Sequence, residues 1–464
     1  MSELHLQPDF AAFQTLSSQG NLVPVWAEIA ADYETPLSAY QKIRDGRCSF
    51  LFESAELTQH SGRYSLLGTS PRAIITARGR EIEIDERGQK RRLTVEGDPM
   101  QVLEDLMRPY RPHGGPTLPV FSGGAVGYLA YDMVRYFEPT LPEPPPDHLG
   151  LPDMVFFITD VVLIFDHRTR RLSLVANVHT DEHPTLEAAY TWAKRQIEAV
   201  IAQLQQPLAV KPLQTIAPVS TAAVPAPVSN TTQAEYESMV IRSKEFIAAG
   251  DIFQVVPSQR FETDYTGTPL DLFRALRHVN PSPYMFCLEL PQGFSLVGSS
   301  PEVHVKCLHG NIEIRPIAGT RWRGATQEAD DALAAEMLAD PKERAEHIML
   351  VDLARNDVGR AAQYGTVSVD ELMIVERYSH VMHIVSNVSG KLRPDRSAYD
   401  VMRATFPAGT VSGSPKVRAM EIISSLEKSK RCAYAGAVGY FGFDGNLDSC
   451  IALRRSEERR VGKE

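Results

Sequence analysis

Glu343 and Glu346 are two carboxylates spaced for shared chemistry in this 464-residue chain. They lie in DPKERAEHIMLVDLARNDVG, Asp340 to Gly359, where Asp340 can cap a helix and Pro341 is preorganised for its first turn. Residues three apart share one helical face, so both side chains project together. Close carboxylates repel unless a cation, a base or a proton occupies the space between them. Oxygen donors of this kind suit a hard divalent cation such as Mg2+. The same spacing also describes a solvated acidic face partnered by Lys342 and Arg344, and periodicity alone leaves both readings open.

A glycine-rich loop, FPAGTVSGSPKVRAM (Phe406 to Met420), opens a second predicted helix, with Ser414 as its cap and Pro415 in its first turn. Amide groups at a helix start attract anions. There is no GxxxxGK[ST], and no GxGxxG follows a strand here, so a nucleotide phosphate is not indicated. Lys416 and Arg418 beside the first turn predict a carboxylate instead. His383 alternates with Met382 and Ile384 in HVMHIVSNV, a predicted strand, where a packing role and a chemical role are both open. No GxSxG occurs, which removes one hydrolase signature.

The elements that must position these residues read as a mixture of strands and crossing helices. Helices are predicted over 35–43, 99–107, 185–205, 269–278, 395–404 and 414–428, and another starts at Thr232 and stops at Gly250. Strand signals at 64–67, 72–77 and 81–84 predict an antiparallel meander. MVFFITDVVLIFDHRTRRLSLVANV predicts a β-hairpin turning at 166–170, and 434–443 with 447–454 predicts another through Asp444-Gly445. Glycines 123, 124 and 127 predict close backbone packing. Residues 206–230 are rich in Pro, Ala, Ser and Thr and form the best inter-module boundary, between a 20–170 region and a 231–455 region. With no regular βαβ rhythm, the class is α+β.

Composition narrows the function. Net charge is −10 and no long basic tract occurs, which argues against nucleic acid. No run approaches eighteen apolar residues, and MSELHLQPDF has no signal-peptide pattern, so no membrane role is expected and a cytoplasmic setting is the default. Five scattered cysteines, none in CxxC spacing, predict neither disulfides nor a zinc knuckle.

As a set, PIAGTRWRG, DPKERAEHIMLVDLARNDVGR, FPAGTVSGSPKVRAMEII and YAGAVGYFGFDGNLDSCIALR resemble, in this order, the chorismate-utilising enzymes. More narrowly they resemble the large subunit of anthranilate synthase. The likeness covers about 230–454, with a weaker one over roughly 20–170. It implies a large layered fold with antiparallel-rich sheets and helices packed outside. It implies a Mg2+-dependent reaction in which ammonia adds to chorismate at ring C2, the C4 hydroxyl leaves, and pyruvate is eliminated to give anthranilate for tryptophan synthesis. Ammonia would come from a separate glutamine amidotransferase subunit.

The resemblance also assigns roles. Glu346, with Glu343 behind it, would hold the metal. Gly319, Thr320 and Thr410 would line the substrate pocket. Tyr434 and Arg454 would hold the enolpyruvyl carboxylate, a task suited to the arginine fork. His383 matches a pocket histidine linked to pyruvate loss. Gln254 stands where isochorismate- and salicylate-forming relatives carry a water-activating lysine, and a neutral amide cannot be that base. Ala318 stands where aminodeoxychorismate synthases carry the lysine of PIKGT. Both favour anthranilate synthase over an aminodeoxychorismate or isochorismate synthase; an inactive chorismate- and tryptophan-binding subunit is the alternative of another class. LFESAE and NPSPYMF resemble the two halves of a tryptophan feedback site, with Glu53, Ser54, Pro281, Tyr284, Met285 and Phe286 as its residues and Phe52 in place of a leucine. Met285 and Phe286 together would receive the indole. After IALR the family continues into a glycine-rich strand and a helix with the second metal carboxylate, whereas this chain reads RSEERRVGKE. That departure predicts half a metal site, an unpaired edge on the 447–454 strand and weak or absent turnover.

Overall fold

The computed structural model describes residues 4–54, 62–113, 121–209, 226–378 and 381–459. Period-two alternation sets its layers. In Ser49–Glu53, Phe50 faces one side of the sheet and Leu51 the other; in Tyr284–Glu289, Phe286 and Leu288 join Phe50 while Cys287 joins Leu51.

Among the described residues the longer strands build two antiparallel sheets. The eight-stranded one runs Leu22–Ala30, Arg171–His179, Val161–Asp166, Tyr64–Thr69, Ser49–Glu53, Tyr284–Glu289, Phe294–Ser300, Arg455–Arg459. The twelve-stranded one runs from Ile317–Trp322 and Val381–Lys391 through Leu447–Ile451, Ala437–Gly442 and Gly124–Leu129 to Gln89–Thr94, with Ser368–Arg377 also paired to Val381–Lys391. The sheets face each other across a layer that includes Phe50, Tyr128, Phe157, Phe286 and Tyr440. Helices Pro36–Ile43, Leu186–Leu204 and Pro269–Val279 cover the first sheet's outer face. Helices Met100–Met107, Pro341–Gly359, Ala398–Thr405 and Lys416–Leu426 cover the second's. This is the layered α+β fold with helices outside.

Both expected regions feed both sheets. Ser49–Glu53 pairs with Tyr284–Glu289, and Gly124–Leu129 pairs with Ala437–Gly442. Of the expected 206–230 boundary, 210–225 lie outside the described residues; Val228–Ser229 pairs with Phe261–Glu262.

Three topological expectations are corrected. Residues 64–84 are not one meander: Tyr64–Thr69 lies in the first sheet, and the chain crosses at Ser70-Pro71 to place Ala73–Arg78 in the second. The run from Met154 likewise divides at Asp160. Met154–Thr159 belongs to the second sheet, and the hairpin through 166–170 is made by Val161–Asp166 and Arg171–His179. Met154–Thr159 and Val161–Asp166 are buried along almost their whole length, so an apolar run carries no signal for which sheet it joins. Leu447–Ile451 has no open edge, since it lies between Val303–Leu308 and Ala437–Gly442.

Gly127 shows why a strand here needs glycine: a Cβ would stand 1.9 Å from the Val155 carbonyl oxygen. Among the described residues all five cysteines are buried and unbridged, and no helix is long and apolar enough to cross a membrane.

Candidate active site

The helix Pro341–Gly359 is the spine of the site. Asp340 caps it, its side chain accepting from the amides of Lys342 and Glu343. The strands Ile317–Trp322 and Val381–Lys391 and the loop around Gly409–Val411 pack on it.

Gln254 and Glu346 meet here from positions 92 residues apart. The Gln254 amide donates to Glu346 Oε1 at 3.3 Å, while Gln254 Oε1 is buried without a hydrogen-bond partner. A two-residue ladder holds Gln254 in place, pairing it with Ser414 and Val255 with Gly413. Gly413 is required: its φ is +136°, and a Cβ would stand 2.2 Å from the Gln254 carbonyl oxygen. Gln254, Glu346, Met349, Asp357, Ser414 and Lys416 line one cavity of about 950 Å³.

Glu343 faces a second group. Gly319 sits in a bulge of its strand at φ +64°, and a Cβ there would approach Glu343 Oε2 to 3.3 Å. The bulge re-aims Thr320 at His383, their Oγ1 and Nδ1 atoms 3.1 Å apart. His383 Nδ1 donates to the Gly319 carbonyl at 2.9 Å, which leaves Nε2 as the lone-pair nitrogen. Burial lowers the His383 pKa, and the Arg454 charge lowers it further. Glu343 itself accepts from Arg321 at 3.2 Å. The partners expected for an exposed acidic face, Lys342 and Arg344, are not those the glutamates take.

Thr410 donates to Glu302 Oε1 at 2.6 Å. Glu302 is 6% exposed, and burial pushes its carboxyl up to about 7 against the lowering effect of the Thr410 bond. Sequence reading passed over Glu302. Its one signal is an acid at the mouth of an apolar strand in VGSSPEVHV.

Tyr434 and Arg454 do not line the large cavity. Arg431 stands 5.8 Å from the Tyr434 ring and also donates to the Val411 carbonyl, tying Tyr434 to the glycine-rich loop. Arg454, at φ +45°, donates to Asn280 Oδ1 at 3.4 Å.

Two expectations for the glycine-rich loop are corrected. Ser414 is not the cap of Lys416–Leu426; Pro415 holds that position without a side-chain hydrogen bond, because Ser414 is engaged with Gln254. Lys416 and Arg418 are not poised for a carboxylate ligand. Lys416 is buried in an ion pair with Asp357 at 2.6 Å, and Arg418 pairs with Asp251 and Glu421.

A separate cavity of about 390 Å³ lies where Ser49–Glu53 meets Tyr284–Glu289, lined by Phe52, Glu53, Ser54, Tyr284, Met285 and Phe286 among others. Glu53 Oε1 accepts from Arg277 at 2.6 Å, and its Oε2 is buried without a partner. Burial raises the Glu53 pKa, and Arg277 opposes that rise. Both Met285 and Phe286 border the cavity, although alternation packs Met285 under the outer helices and Phe286 between the sheets. Phe52, Leu66, Phe121 and Tyr440 supply the apolar side of the cavity on the inter-sheet face. Pro281 precedes the lining residues and is not among them.

A model of the chorismate binding enzyme family matches residues 47–459. The chain belongs to the chorismate-binding enzymes. This chorismate-binding enzyme is 42% identical over 448 residues to anthranilate synthase component 1 of Acetivibrio thermocellus, covering 96% of this chain and 90% of that protein. It is 45% identical over 445 residues to anthranilate synthase component 1 of Pseudomonas putida, covering 95% and 89%. The solved anthranilate synthase component I of Streptococcus pneumoniae superposes with a TM-score of 0.73 at 34% identity, over 87% of this chain and 86% of that one. The menaquinone-specific isochorismate synthase of Escherichia coli shares the fold, with a TM-score of 0.65 at 16% identity over 97% and 90% of the two chains.

Proposed function

We propose that this enzyme is anthranilate synthase component I, converting chorismate and ammonia to anthranilate and pyruvate in the cytoplasm as a lyase of tryptophan synthesis. The observation that carries the reading is Gln254. Its neutral amide, not a basic amine, hydrogen-bonds to Glu346 at the wall of the large cavity, and an amide cannot activate water by taking its proton. Ammonia needs no such base. A separate glutamine amidotransferase subunit would supply it.

Within this reading the residues divide the work. Glu302, whose carboxyl is pushed up to about 7, holds a proton near neutrality and is the group to protonate the departing C4 hydroxyl. Thr410 orients it. His383, fixed as the Nδ1–H tautomer by the Gly319 carbonyl, presents Nε2 for a proton during pyruvate loss. Arg454 and Tyr434 would hold the enolpyruvyl carboxylate.

Among the described residues no group of three or more His, Cys, Asp or Glu side chains is placed to hold a metal ion. Glu346 and Glu343 nevertheless offer an all-oxygen pair one turn apart, and the partnerless Gln254 Oε1 adds an oxygen beside Glu346. Such donors fit Mg2+, with substrate and water filling the other positions. When bound, Mg2+ would orient the substrate's ring carboxylate and offset developing negative charge.

Incubation with chorismate, ammonium and Mg2+ followed by product chromatography tests the function. Anthranilate is expected. A 4-amino product or a 2-hydroxy product would each reject it.

A further inference from the structure

Lys416 is the exit residue of the loop that carries Thr410. Its ammonium makes two buried contacts: an ion pair with Asp357 Oδ2 at 2.6 Å and a hydrogen bond to the Thr405 carbonyl at 2.9 Å. Asp357 belongs to the last turns of Pro341–Gly359, and Thr405 ends the helix that enters the loop. One side chain therefore joins the loop's exit to its entry and fastens both to the helix that bears Glu346. Lys416 and Asp357 are 7% and 5% exposed at their side chains, so water does not weaken the pair as it does at a surface.

The segment between those anchors makes three contacts with the site. Gly409 is pressed onto Leu353, where a Cβ would stand 2.1 Å from Leu353 Cδ2. Thr410 reaches Glu302, and Gly413–Ser414 pairs with Val255 and Gln254. His304, two residues from Glu302, stands between Thr405 Oγ1 at 3.4 Å and Ser449 Oγ at 3.2 Å. Burial and the Lys416 charge push it down to about 3, so it stays neutral and adds no repulsion to the clasp.

We propose that Lys416 is a positioning residue: its paired contacts with Asp357 and Thr405 set the 405–416 loop so that Thr410 meets Glu302 and Ser414 meets Gln254. The importance for turnover rests on the reading given above; the positioning itself does not. Removing the ammonium leaves Asp357 buried and unpaired and frees the loop exit, so Thr410 loses its register on Glu302. Besides Lys416, Arg360 and Glu138 act on the Asp357 carboxyl, and the Thr410 hydroxyl acts on that of Glu302.

The test reads Glu302 directly. Isotope-edited infrared titration of glutamate carboxyls, with the Glu302→Gln spectrum subtracted, gives the Glu302 midpoint without any turnover. Lys416→Met is expected to raise that midpoint by about one pH unit, the size of one lost hydrogen bond to the carboxylate. Thr410→Val should raise it equally, and the double variant should add nothing further. Lys416→Arg, which keeps the charge, should restore part of the shift. A Lys416→Met protein with a lowered melting temperature but an unmoved midpoint would reduce Lys416 to a stabilising role and overturn the proposal. Should Lys416→Met not fold, Asp357→Asn loosens the same anchor; a raised midpoint supports the clasp and an unchanged one overturns it. In a parallel assay kcat should fall at least tenfold in Lys416→Met, with the KM for chorismate within about threefold. If the parent converts chorismate to a 4-amino or 2-hydroxy product, the functional reading fails while the infrared result still judges the clasp.

Discussion

A buried carboxyl with a pKa near neutrality links chemistry to stability, and Glu302 carries both. In the unfolded chain a glutamate titrates near 4.3, whereas burial here pushes it up to about 7. The native state therefore binds the extra proton between those values. Its contribution is full below the unfolded pKa and is lost as pH rises through 7. Glu302→Gln removes this dependence. Its melting temperature should change less than the parent's between pH 5 and 8, with a relative gain on the order of 2–3 kcal/mol at pH 8. Differential scanning calorimetry across that range reads it. The same variant should lose ~10²- to 10⁴-fold in turnover, the usual yield of a positioned general acid. Full activity in Glu302→Gln would remove the residue from the mechanism.

At the scale of elements, the two-residue ladder between Gln254–Val255 and Gly413–Ser414 is short for what depends on it. Gly413 combines a left-handed φ with a contact that no side chain can satisfy, since the obstructing atom is the Gln254 carbonyl oxygen. Gly310 offers a control: its φ is +77°, but nothing lies within 4 Å of where a Cβ would stand. Gly310→Ala should cost only the backbone strain, about 1 kcal/mol. Gly413→Ala should cost about 2–3 kcal/mol more, because either the ladder or the backbone must shift. Chemical denaturation of both variants checks the difference. Equal costs would mean that the close approach carries no energy.

At the scale of the molecule, the cavity between Ser49–Glu53 and Tyr284–Glu289 exists only because strands about 230 residues apart pair edge to edge. Its buried, partnerless Glu53 Oε2 is an acceptor suited to an ammonium group, and its inter-sheet side is apolar. Feedback control by L-tryptophan is expected there. Calorimetry should show binding selective for L-tryptophan over phenylalanine. Ser54→Phe should weaken it at least tenfold by overpacking the cavity. A folded protein that releases no heat on tryptophan addition would reject this regulation.

Much was determined by the sequence itself wherever the signal is local. Thr35, Thr185, Thr232 and Thr268 cap the helices expected to follow them, because a cap and its amides lie within four residues. The Glu343–Glu346 spacing and the neutral residue at 254 are likewise readable from the chain. Only the tertiary structure decided which sheet received each strand, because segments buried on both faces carry no alternation to mark the partner. It also decided that Met285 and Phe286 part company across one sheet. Glu302 and Lys416 gained their settings in the same way. A lone acid and a lone lysine have no local signature, and their partners Thr410 and Asp357 lie 108 and 59 residues away. Desolvation, which shifts the Glu302 proton and makes the Lys416–Asp357 pair consequential, is a property of the packed interior and has no counterpart in the unfolded chain.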